Sequence, residues 1–432
     1  MSRVSASAIT LLQPKLVISI IMAMLLVSPY GRKLVGVRAF NPLIRFSRPS
    51  ALISTRQGPD ENTSPLSSFT SLQERYKLPV VPDIIPLKAN QRVVCVGDVH
   101  GDINALKRFL KLAEVFDGNK WTGGNTILVQ CGDVLDRGLE ELECFSLLTS
   151  LSKQAAEHEG SLICLWGNHE ALNAAGLFQY TMGDDEYENE IGQALDVSPL
   201  DTKLWRIQFG GNQPSRWASY EPGGIFALPL MAHLKVAVQV GKTVCVHAGL
   251  TQQHLDMYGG LNGMNNIAQE WIKEAHHRQN NNFGEYISVE EVIKDANNRA
   301  KLAAKSMPNC LGGGSGESSP VWMRTYSYPP NVPPRQSEKA QAILDEVLTT
   351  LDADRMVVGH TVQNQINAAL RGKVWRVDVG ASRGVSGGTP EVLEIVKQPD
   401  GGEEVSILTE RGRIPQKDRE VSEEAAILKS LL

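Results

Sequence analysis

The sequence predicts an α/β fold built around a largely parallel sheet, and three observations support this. Apolar runs rich in β-forming residues alternate with stretches of helical periodicity between residues 92 and 168. Each of these apolar runs ends directly at a polar motif, as expected where buried strands bring ligands to their carboxyl ends. The composition, 42% hydrophobic and 21% charged over 432 residues, is that of a globular enzyme. Strands that alternate with helices indicate βαβ crossovers.

The first half of the catalytic region contains three predicted strands and two predicted helices. Residues 92–98, 126–133 and 161–168 are β-rich runs bounded by turn residues, which is typical of buried strands. Residues 103–116 and 139–158 carry apolar side chains at helical spacing. This order predicts two successive crossovers onto one sheet.

Two insertions interrupt the second half. The regular pattern fails between about 174 and 229, which indicates a cap or lid. Residues 242–249 restore a strand that ends near His247, and a second, largely helical insertion follows at about 252–320, with helices at 267–278 and 289–306.

The last part of the domain returns to sheet. A helix at 337–351 leads into a strand at 355–361 that carries His360, and strands follow at 374–379 and 391–397. Residues 404–408 are predicted to pair with the latter across the Asp400-Gly401-Gly402 turn. Residues 410–432 are charged and mixed, which predicts a surface helix or a frayed tail.

The first 72 residues are predicted to be a targeting leader outside the fold. Residues 16–27 form an apolar stretch too short for a comfortable membrane span but suited to a signal-peptide core. Arginines and serines follow, with no acidic residue before Asp60, as in an organellar transit peptide. A signal core followed by Ala39-Phe40-Asn41-Pro42 resembles the bipartite leader of plastid proteins in algae with secondary plastids, so we expect a plastid location. A signal anchor, a secretory location or a mitochondrial presequence is the alternative. The catalytic domain is then placed at 73–409.

Charge and cysteine usage exclude other classes. The formal net charge of -5, without a basic block in the catalytic region, argues against a general nucleic-acid binder. Cys95, Cys131, Cys164 and Cys245 lie in apolar runs, where a cysteine commonly serves as a small buried hydrophobe. The six cysteines show no CxxC spacing, so we expect reduced thiols and no structural zinc.

Three motifs carry the chemistry: GDVHG at 97–101, GDVLDRG at 132–138 and GNHE at 167–170. Each follows a predicted strand. Any one alone could be an ordinary turn, because short patterns recur by accident. Together they supply the oxygen ligands, imidazoles and arginine that a two-metal phosphoester-cleaving centre requires.

The candidate metal ligands are oxygen- or nitrogen-bearing side chains at predicted strand ends: Asp98, His100, Asp133, Asn168, His247 and His360. Asp98 and His100 can reach one cation, and Asp133 can bridge it to a second. Asn168 offers an amide oxygen to that second cation, which His247 and His360 complete, although single histidines at strand ends are commonly structural. Such mixed ligands favour two divalent ions of manganese, or alternatively iron or zinc, over calcium.

Four further residues are assigned to catalysis and phosphate binding. His169 is placed to act as general acid, and Asp136 is the carboxylate that would orient it. The planar guanidinium of Arg137 can hold two phosphate oxygens. Arg324 is equally compatible with a second phosphate clamp and with a structural ion pair.

These motifs resemble the signatures of PPP-type (calcineurin-like) metallophosphatases, over residues 93–395. The resemblance implies a four-layer metallophosphoesterase fold, with a central β-sandwich flanked by helices, here with helical insertions. In that family the positions matching the six candidate ligands bind a dinuclear centre. The positions matching His169 and Asp136 form the acid pair, and the position matching Arg137 binds phosphate.

The sequence departs from ordinary eukaryotic Ser/Thr phosphatases at several motifs. His247-Ala248-Gly249 replaces their His-Gly-Gly, and Gly359-His360-Thr361 replaces their Arg-Ala-His. With residues 320–324 and 378–382, these variants resemble the bacterial-derived branch called Shewanella-like protein phosphatases, which includes a plastid type. The departures imply that the usual PPP regulatory subunits do not bind.

The predicted function is that of a metal-dependent phosphoprotein phosphatase, which hydrolyses phosphomonoesters by attack of a metal-bridging hydroxide. We expect a phosphoprotein or phosphopeptide substrate, no nucleic-acid partner and no stable membrane span in the mature chain. The alternative is a dinucleoside polyphosphate hydrolase on the same dinuclear centre. That activity would need base-stacking aromatics in the first cap, for which the candidates, which could equally be core, are Trp205, Phe209, Trp217 and Tyr220.

Overall fold

The computed structural model describes residues 78–182, 216–217, 220–224, 226–274, 289–312, 319–326 and 334–420. The predicted leader lies outside these residues, and so do Trp205 and Phe209 of the first cap. Within the described part of the chain, no helix is both long and apolar enough to cross a membrane.

The described residues form two six-stranded sheets. In chain order the strands of the described residues are β1 (Ile84–Ile85), β2 (Arg92–Val96), β3 (Ile127–Gln130), β4 (Ser161–Cys164), β5 (Ala237–Val240), β6 (Thr243–Val246), β7 (Arg355–Val358), β8 (Asn367–Ala369), β9 (Val374–Arg376), β10 (Val392–Lys397), β11 (Glu403–Thr409) and β12 (Gly412–Pro415). The first sheet has the order β1-β5-β6-β7-β9-β8, and the second has β12-β11-β10-β2-β3-β4.

The helices of the described residues are α1 (Ile103–Leu112), α2 (Glu141–Glu157), α3 (Asn168–Ala174), α4 (Gln252–Tyr258), α5 (Leu261–Lys273), α6 (Val289–Ser306) and α7 (Pro334–Thr350). Helix α2 packs against β4 and α5 packs against β5, so a helix contacts each sheet. The predicted helix at 289–306 is confirmed, whereas α5 both begins and ends earlier than the predicted 267–278.

The parallel arrangement of β2, β3 and β4 confirms the predicted crossovers. The sheet as a whole is mixed, because β10 runs antiparallel to β2 and forms an antiparallel hairpin with β11. The predicted pairing across the turn at Asp400 is therefore confirmed. The two sheets pack face to face, since Cys95 in β2 contacts Cys245 in β6 with their sulfurs 3.7 Å apart. All six cysteines are free thiols, as expected.

Local chemistry explains where α1 begins and ends. Asp102 caps it, because its carboxylate accepts hydrogen bonds from the N–H groups of Asn104 and Ala105, each at 3.0 Å. The helix ends at Leu112, four residues before the predicted 116. Glu114 has a φ of 57°, which leaves the helical region, and Phe116 pairs with Trp121 in an isolated bridge.

The remaining differences involve short elements. Strands β1, β5, β8 and β12 and helix α4, each of at most seven residues, were not predicted from the sequence. Residues expected to form a surface helix or frayed tail instead include β12, which pairs with β11, and a bridge between Ala368 and Glu420. Backbone pairing therefore secures the chain to residue 420.

Candidate metal and phosphate site

Five strand ends meet at one place between the sheets. Strands β2, β3 and β4 of the second sheet and β6 and β7 of the first each end within a few residues of a candidate ligand, in the order Asp98 and His100, Asp133, Asn168, His247 and His360. Three of these ligands have left-handed backbone conformations, with φ of 46° at His100, 57° at Asp133 and 67° at His360. Such non-glycine conformations are uncommon and often mark functional sites.

Asp133 lies at the centre of the cluster. Its Oδ2 atom is 3.3 Å from His247 Nε2 and 3.8 Å from both His100 Nε2 and His169 Nε2. Two groups of potential metal-binding atoms share this carboxylate, one with His100 and His169 and one with His247 and His360, each within 4.8 Å. A carboxylate shared by two groups is the geometry expected of a bridging ligand.

The tautomers of two imidazoles suit a cation. The Nδ1 atom of His247 lies 2.7 Å from the Cys131 carbonyl oxygen, and that of His100 lies 3.0 Å from the Leu135 carbonyl oxygen. Because Nδ1 donates its proton to these carbonyls, Nε2 carries a lone pair directed at the cluster. Asn168 Oδ1, also an acceptor, is 3.0 Å from His247 Nε2. In the neutral form of His247 these two atoms are facing acceptors, an arrangement that fits a metal ion.

The imidazoles differ in how easily they hold a proton. Burial lowers the pKa of His100 to about 4, and burial together with the positive charge of His247 lowers that of His360 to about 2. For His247, burial is outweighed by the charge of Asp133 and the hydrogen bond to it, which raise the pKa above its ordinary value. His360 Nδ1 lies 2.7 Å from Asn168 Oδ1. Its Nε2 atom is buried and has no hydrogen-bond partner among the described residues.

Asp98 joins the centre through the backbone. The N–H of His360 donates to both of its carboxylate oxygens, at 3.3 and 3.2 Å. Gly359 is required here, since a Cβ at that position would lie 2.4 Å from Asp98 Oδ1. Burial, followed by the charges of Asp378 and Asp133, raises the pKa of Asp98 well above its usual value. Buried carboxylates that repel one another in this way are stabilised by cations.

His169 and Asp136 form the predicted pair. His169 Nδ1 is 2.6 Å from Asp136 Oδ2, and both side chains are buried. Burial by itself lowers the pKa of His169, but the charges of Asp133 and Asp136 outweigh it and raise the pKa above its ordinary value. The geometry therefore allows His169 to hold a proton on Nε2 while Nδ1 remains bonded to the carboxylate.

The two candidate phosphate-binding arginines differ in their surroundings. The guanidinium of Arg137 lies 5.5 Å from the ring centre of Tyr180, and its Nε is buried without a hydrogen-bond partner in the described residues. Arg324 is exposed, and its Nη1 donates to Thr361 Oγ1 at 2.6 Å. No acidic partner of Arg324 is found in the described part of the chain, so the alternative of a structural ion pair gains no support.

Glu170 has a role that the sequence did not reveal. Its carboxylate is fully buried and accepts hydrogen bonds from the N–H groups of Asp133, Val134, Leu135 and Gly167, at 2.8, 2.8, 2.9 and 2.8 Å. The side chain thus joins the second and third motifs. Burial and the charge of Asp133 raise the pKa of Glu170 to about 7, and the backbone hydrogen bonds oppose this shift.

Three more residues around Asp136 were missed. Asn173, one helical turn after His169, donates from Nδ2 to Asp136 Oδ1 at 2.9 Å. Glu141 accepts a hydrogen bond from the backbone N–H of Asp136, and Arg216 donates to Asp136 Oδ1 at 3.2 Å. Helical spacing could have indicated Asn173. Arg216 lies in a cap segment with no recognisable pattern, so nothing local could have identified it.

Two of the four aromatic residues considered for base stacking, Trp217 and Tyr220, are 0% exposed and belong to the hydrophobic core. Of the two roles considered for them, the structure therefore supports the core role. Trp205 and Phe209 lie outside the described residues.

Comparison with known proteins agrees with this site. The calcineurin-like phosphoesterase family model matches residues 91–364. Shewanella-like protein phosphatase 2 of Arabidopsis thaliana is 30% identical to the chain, over 77% of this chain and 79% of that protein. Shewanella-like protein phosphatase 1 of Plasmodium berghei is 28% identical, over 70% and 71%.

A solved structure shares the fold. The cold-active protein-tyrosine phosphatase of a psychrophilic Shewanella species superimposes with a TM-score of 0.50 at 21% identity, over 77% of this chain and 84% of that one. The family match includes all three motifs and both later histidines. The chain therefore belongs to the calcineurin-like phosphoesterase family, in its Shewanella-like protein phosphatase branch.

Proposed function

We propose that this metal-dependent protein phosphatase cleaves phosphomonoesters of phosphoproteins at the cluster centred on Asp133. The observation that supports this most strongly is that one carboxylate is shared by two sets of metal-binding atoms, directly beside the His169–Asp136 pair. Metal-binding atoms alone would suit many metalloproteins. Their combination with a positioned imidazole and with Arg137 suits transfer of a phosphoryl group to water.

Six residues would hold two divalent ions. We assign Asp98 and His100 to one ion, Asn168, His247 and His360 to the other, and Asp133 to both. When bound, such ions lower the pKa of a water molecule and neutralise charge that develops on the phosphoryl oxygens. The mixed oxygen and nitrogen ligands favour manganese, with iron and zinc as the other candidates.

His169 is proposed to protonate the departing oxygen. The hydrogen bond to Asp136 fixes Nδ1 as the donor to that carboxylate, which leaves Nε2 to face the substrate. His169 also lies in one of the two metal-binding groups, so geometry alone would permit it to be a ligand. We favour the acid role because the Asp136 carboxylate stabilises the protonated imidazole.

Arg137 and Arg324 are proposed to bind the phosphoryl oxygens. The buried Nε of Arg137 lacks a protein partner among the described residues, and Arg324 is exposed at the same site beside Thr361. A guanidinium can make two parallel hydrogen bonds to a phosphate, which positions it as well as binding it.

The proposal can be tested with the chain lacking residues 1–72, reconstituted with Mn²⁺, Fe²⁺ or Zn²⁺. Release of phosphate would be compared for matched phosphoserine, phosphothreonine and phosphotyrosine peptides and for diadenosine tetraphosphate. We expect turnover of at least one phosphopeptide, highest with Mn²⁺. Hydrolysis of the dinucleotide with no activity on any peptide would contradict the proposal and favour the alternative.

We also propose delivery to a plastid. The support is the sequence of residues 1–72, in which an apolar core precedes a stretch rich in arginine and serine. Fusion of this segment to a fluorescent protein in an alga with a plastid tests the idea. Accumulation of the fusion in mitochondria or in the secretory pathway would contradict it.

The remaining expectations, a catalytic domain at 73–409 and no binding of the usual PPP regulatory subunits, can be tested on the chain lacking residues 1–72.

A further inference from the structure

A buried arginine, Arg216, is hydrogen-bonded to Asp136, the partner of the proposed general acid. Arg216 belongs to the first cap and is only 1% exposed. Its guanidinium lies over two aromatic rings, 5.9 Å from the centre of Phe178 and 5.3 Å from that of Tyr220. These rings hold the planar group in one orientation.

Arg216 donates hydrogen bonds to Asp136 and to two residues next to it. Two of its nitrogens donate to Glu141, at 2.5 and 2.8 Å, and Nε donates to Asn173 Oδ1 at 2.5 Å. Nη2 also donates to Asp136 Oδ1 at 3.2 Å. The other oxygen of Asp136, Oδ2, receives the bond from His169. The two oxygens of one carboxylate therefore face different partners.

We propose that Arg216 and Glu141 are positioning residues that orient Asp136 toward His169. Arg216 holds the Oδ1 side of the carboxylate, and Glu141 accepts the backbone N–H of Asp136. Asp136 has a φ of 67°, so its backbone is in a conformation that needs support from its surroundings. This proposal rests on the proposed function of His169.

The charges of Arg216, Asp136 and Glu141 support a positioning role for Arg216 and argue against phosphate binding by it. Asp136 and Glu141 are both buried, and two carboxylates so close to each other need a cation. Arg216 supplies that charge with a paired, hydrogen-bonded geometry. Because its nitrogens are engaged by these partners within a closed core, the guanidinium is not free to reach substrate, unlike that of Arg324.

We expect the effect of losing Arg216 on the cleavage rate to depend on the leaving group of the substrate. A dinitrophenolate departs without a proton, whereas the phenolate of phenyl phosphate gains from an acid. If Arg216 acts through Asp136 and His169, its loss slows cleavage of phenyl phosphate more than cleavage of 2,4-dinitrophenyl phosphate. A residue that only stabilises the fold would reduce the two rates in the same proportion.

The experiment compares kcat on these two esters for the wild type and for Arg216→Met, His169→Asn and Arg299→Met, each reconstituted with Mn²⁺. Arg299 is the matched control, because it is an arginine that pairs with a carboxylate of the same cap, Glu221, at 3.2 Å. Metal content is measured in parallel for all variants.

General acid catalysis contributes about 10²–10⁴-fold, so we expect His169→Asn to lower kcat on phenyl phosphate by roughly that factor and to spare the activated ester. Arg216→Met should lower kcat on phenyl phosphate by about tenfold more than on the activated ester, as for the loss of one hydrogen bond to a charged group. Arg299→Met should leave the ratio of the two rates unchanged.

Arg216→Met leaves two buried carboxylates without their cation and could fail to fold. The double variant Arg216→Met with Glu141→Gln removes the opposite charges together, while the new amide oxygen at position 141 could still accept the Asp136 N–H. It is expected to show the same shift in the rate ratio. The experiment with the double variant therefore decides the question if the single variant is not recovered.

The outcomes separate this inference from the function on which it rests. If His169→Asn slows both esters equally, the acid role is wrong and the positioning role fails with it. If His169→Asn changes the ratio while both Arg216 variants leave it as in the wild type, the acid role stands and only the positioning role is overturned.

Discussion

Replacement of Glu170 by glutamine tests how the second and third motifs are joined. The change keeps the shape of the side chain but replaces one acceptor oxygen by an NH₂ group. Each carboxylate oxygen accepts two backbone N–H groups: Oε1 from Val134 and Leu135, and Oε2 from Asp133 and Gly167. Whichever way the amide is turned, two buried N–H groups then face a donor.

The expected loss of stability in Glu170→Gln follows from the number of hydrogen bonds lost. A hydrogen bond to a charged group contributes about 1.5–3 kcal/mol, so two lost bonds cost about 3–6 kcal/mol. The other two bonds become neutral and weaker, which adds to the loss. Because domains are stable by only about 5–15 kcal/mol, the variant should be severely destabilised and could be recovered only with metal bound. This loss of stability applies to ionised Glu170, in which the two oxygens together accept hydrogen bonds from all four backbone N–H groups.

Urea denaturation of the wild type and the variant, with and without Mn²⁺, measures the difference, and elemental analysis measures bound metal. Glu391→Gln is the matched control. Glu391 is also a buried carboxylate that accepts a backbone N–H, from Ile366 at 2.7 Å, and it pairs with Arg419 away from the centre. The control should lose stability but keep its metals. If Glu170→Gln unfolded at the same urea concentration as the wild type and bound both metals, the reasoning would be refuted.

Three further predictions concern the site. His169→Asn should retain both metals and lose most turnover of unactivated esters, by about 10²–10⁴-fold; unchanged kcat on phenyl phosphate would remove His169 from the mechanism. Asp133→Asn should lose metal and activity together, and elemental analysis that finds two metals still bound would contradict the bridging role. Gly384→Ala places a Cβ 2.2 Å from the carbonyl oxygen of Arg137, so the backbone must shift. Since misplacement by about 1 Å can cost about 10²-fold, we expect kcat/KM for a phosphopeptide to fall by roughly tenfold or more, and no change would argue against rigid placement of Arg137.

The candidate metal-binding residues were identified because each follows a strand with a local pattern. Strands β2, β3 and β4 have four or five residues with mainly apolar side chains, and a polar motif follows each of them. His247 and His360 were less certain from the sequence, since each is a single histidine after a strand. The structure brings both to within hydrogen-bonding distance of Asn168.

The partners of these residues were not predictable. Glu170 is part of a recognised motif, yet its four hydrogen bonds depend on how two loops pack, which no spacing reveals. Arg216 lies 80 residues after Asp136 along the chain. A contact over such a separation has no periodic signal, because it depends on tertiary packing of distant segments.

By itself the sequence determined which atoms are available for the chemistry. The apolar strands and the three motifs specify metal-binding oxygens and nitrogens, an imidazole and a guanidinium, because strand periodicity places the residue after each strand at the edge of a sheet. Tertiary structure alone decided that Asp133 is central, that His100 and His247 present their Nε2 lone pairs, and that Arg216 supports Asp136. These properties depend on directions and distances between separate segments, which are set only when those segments pack together in the folded protein.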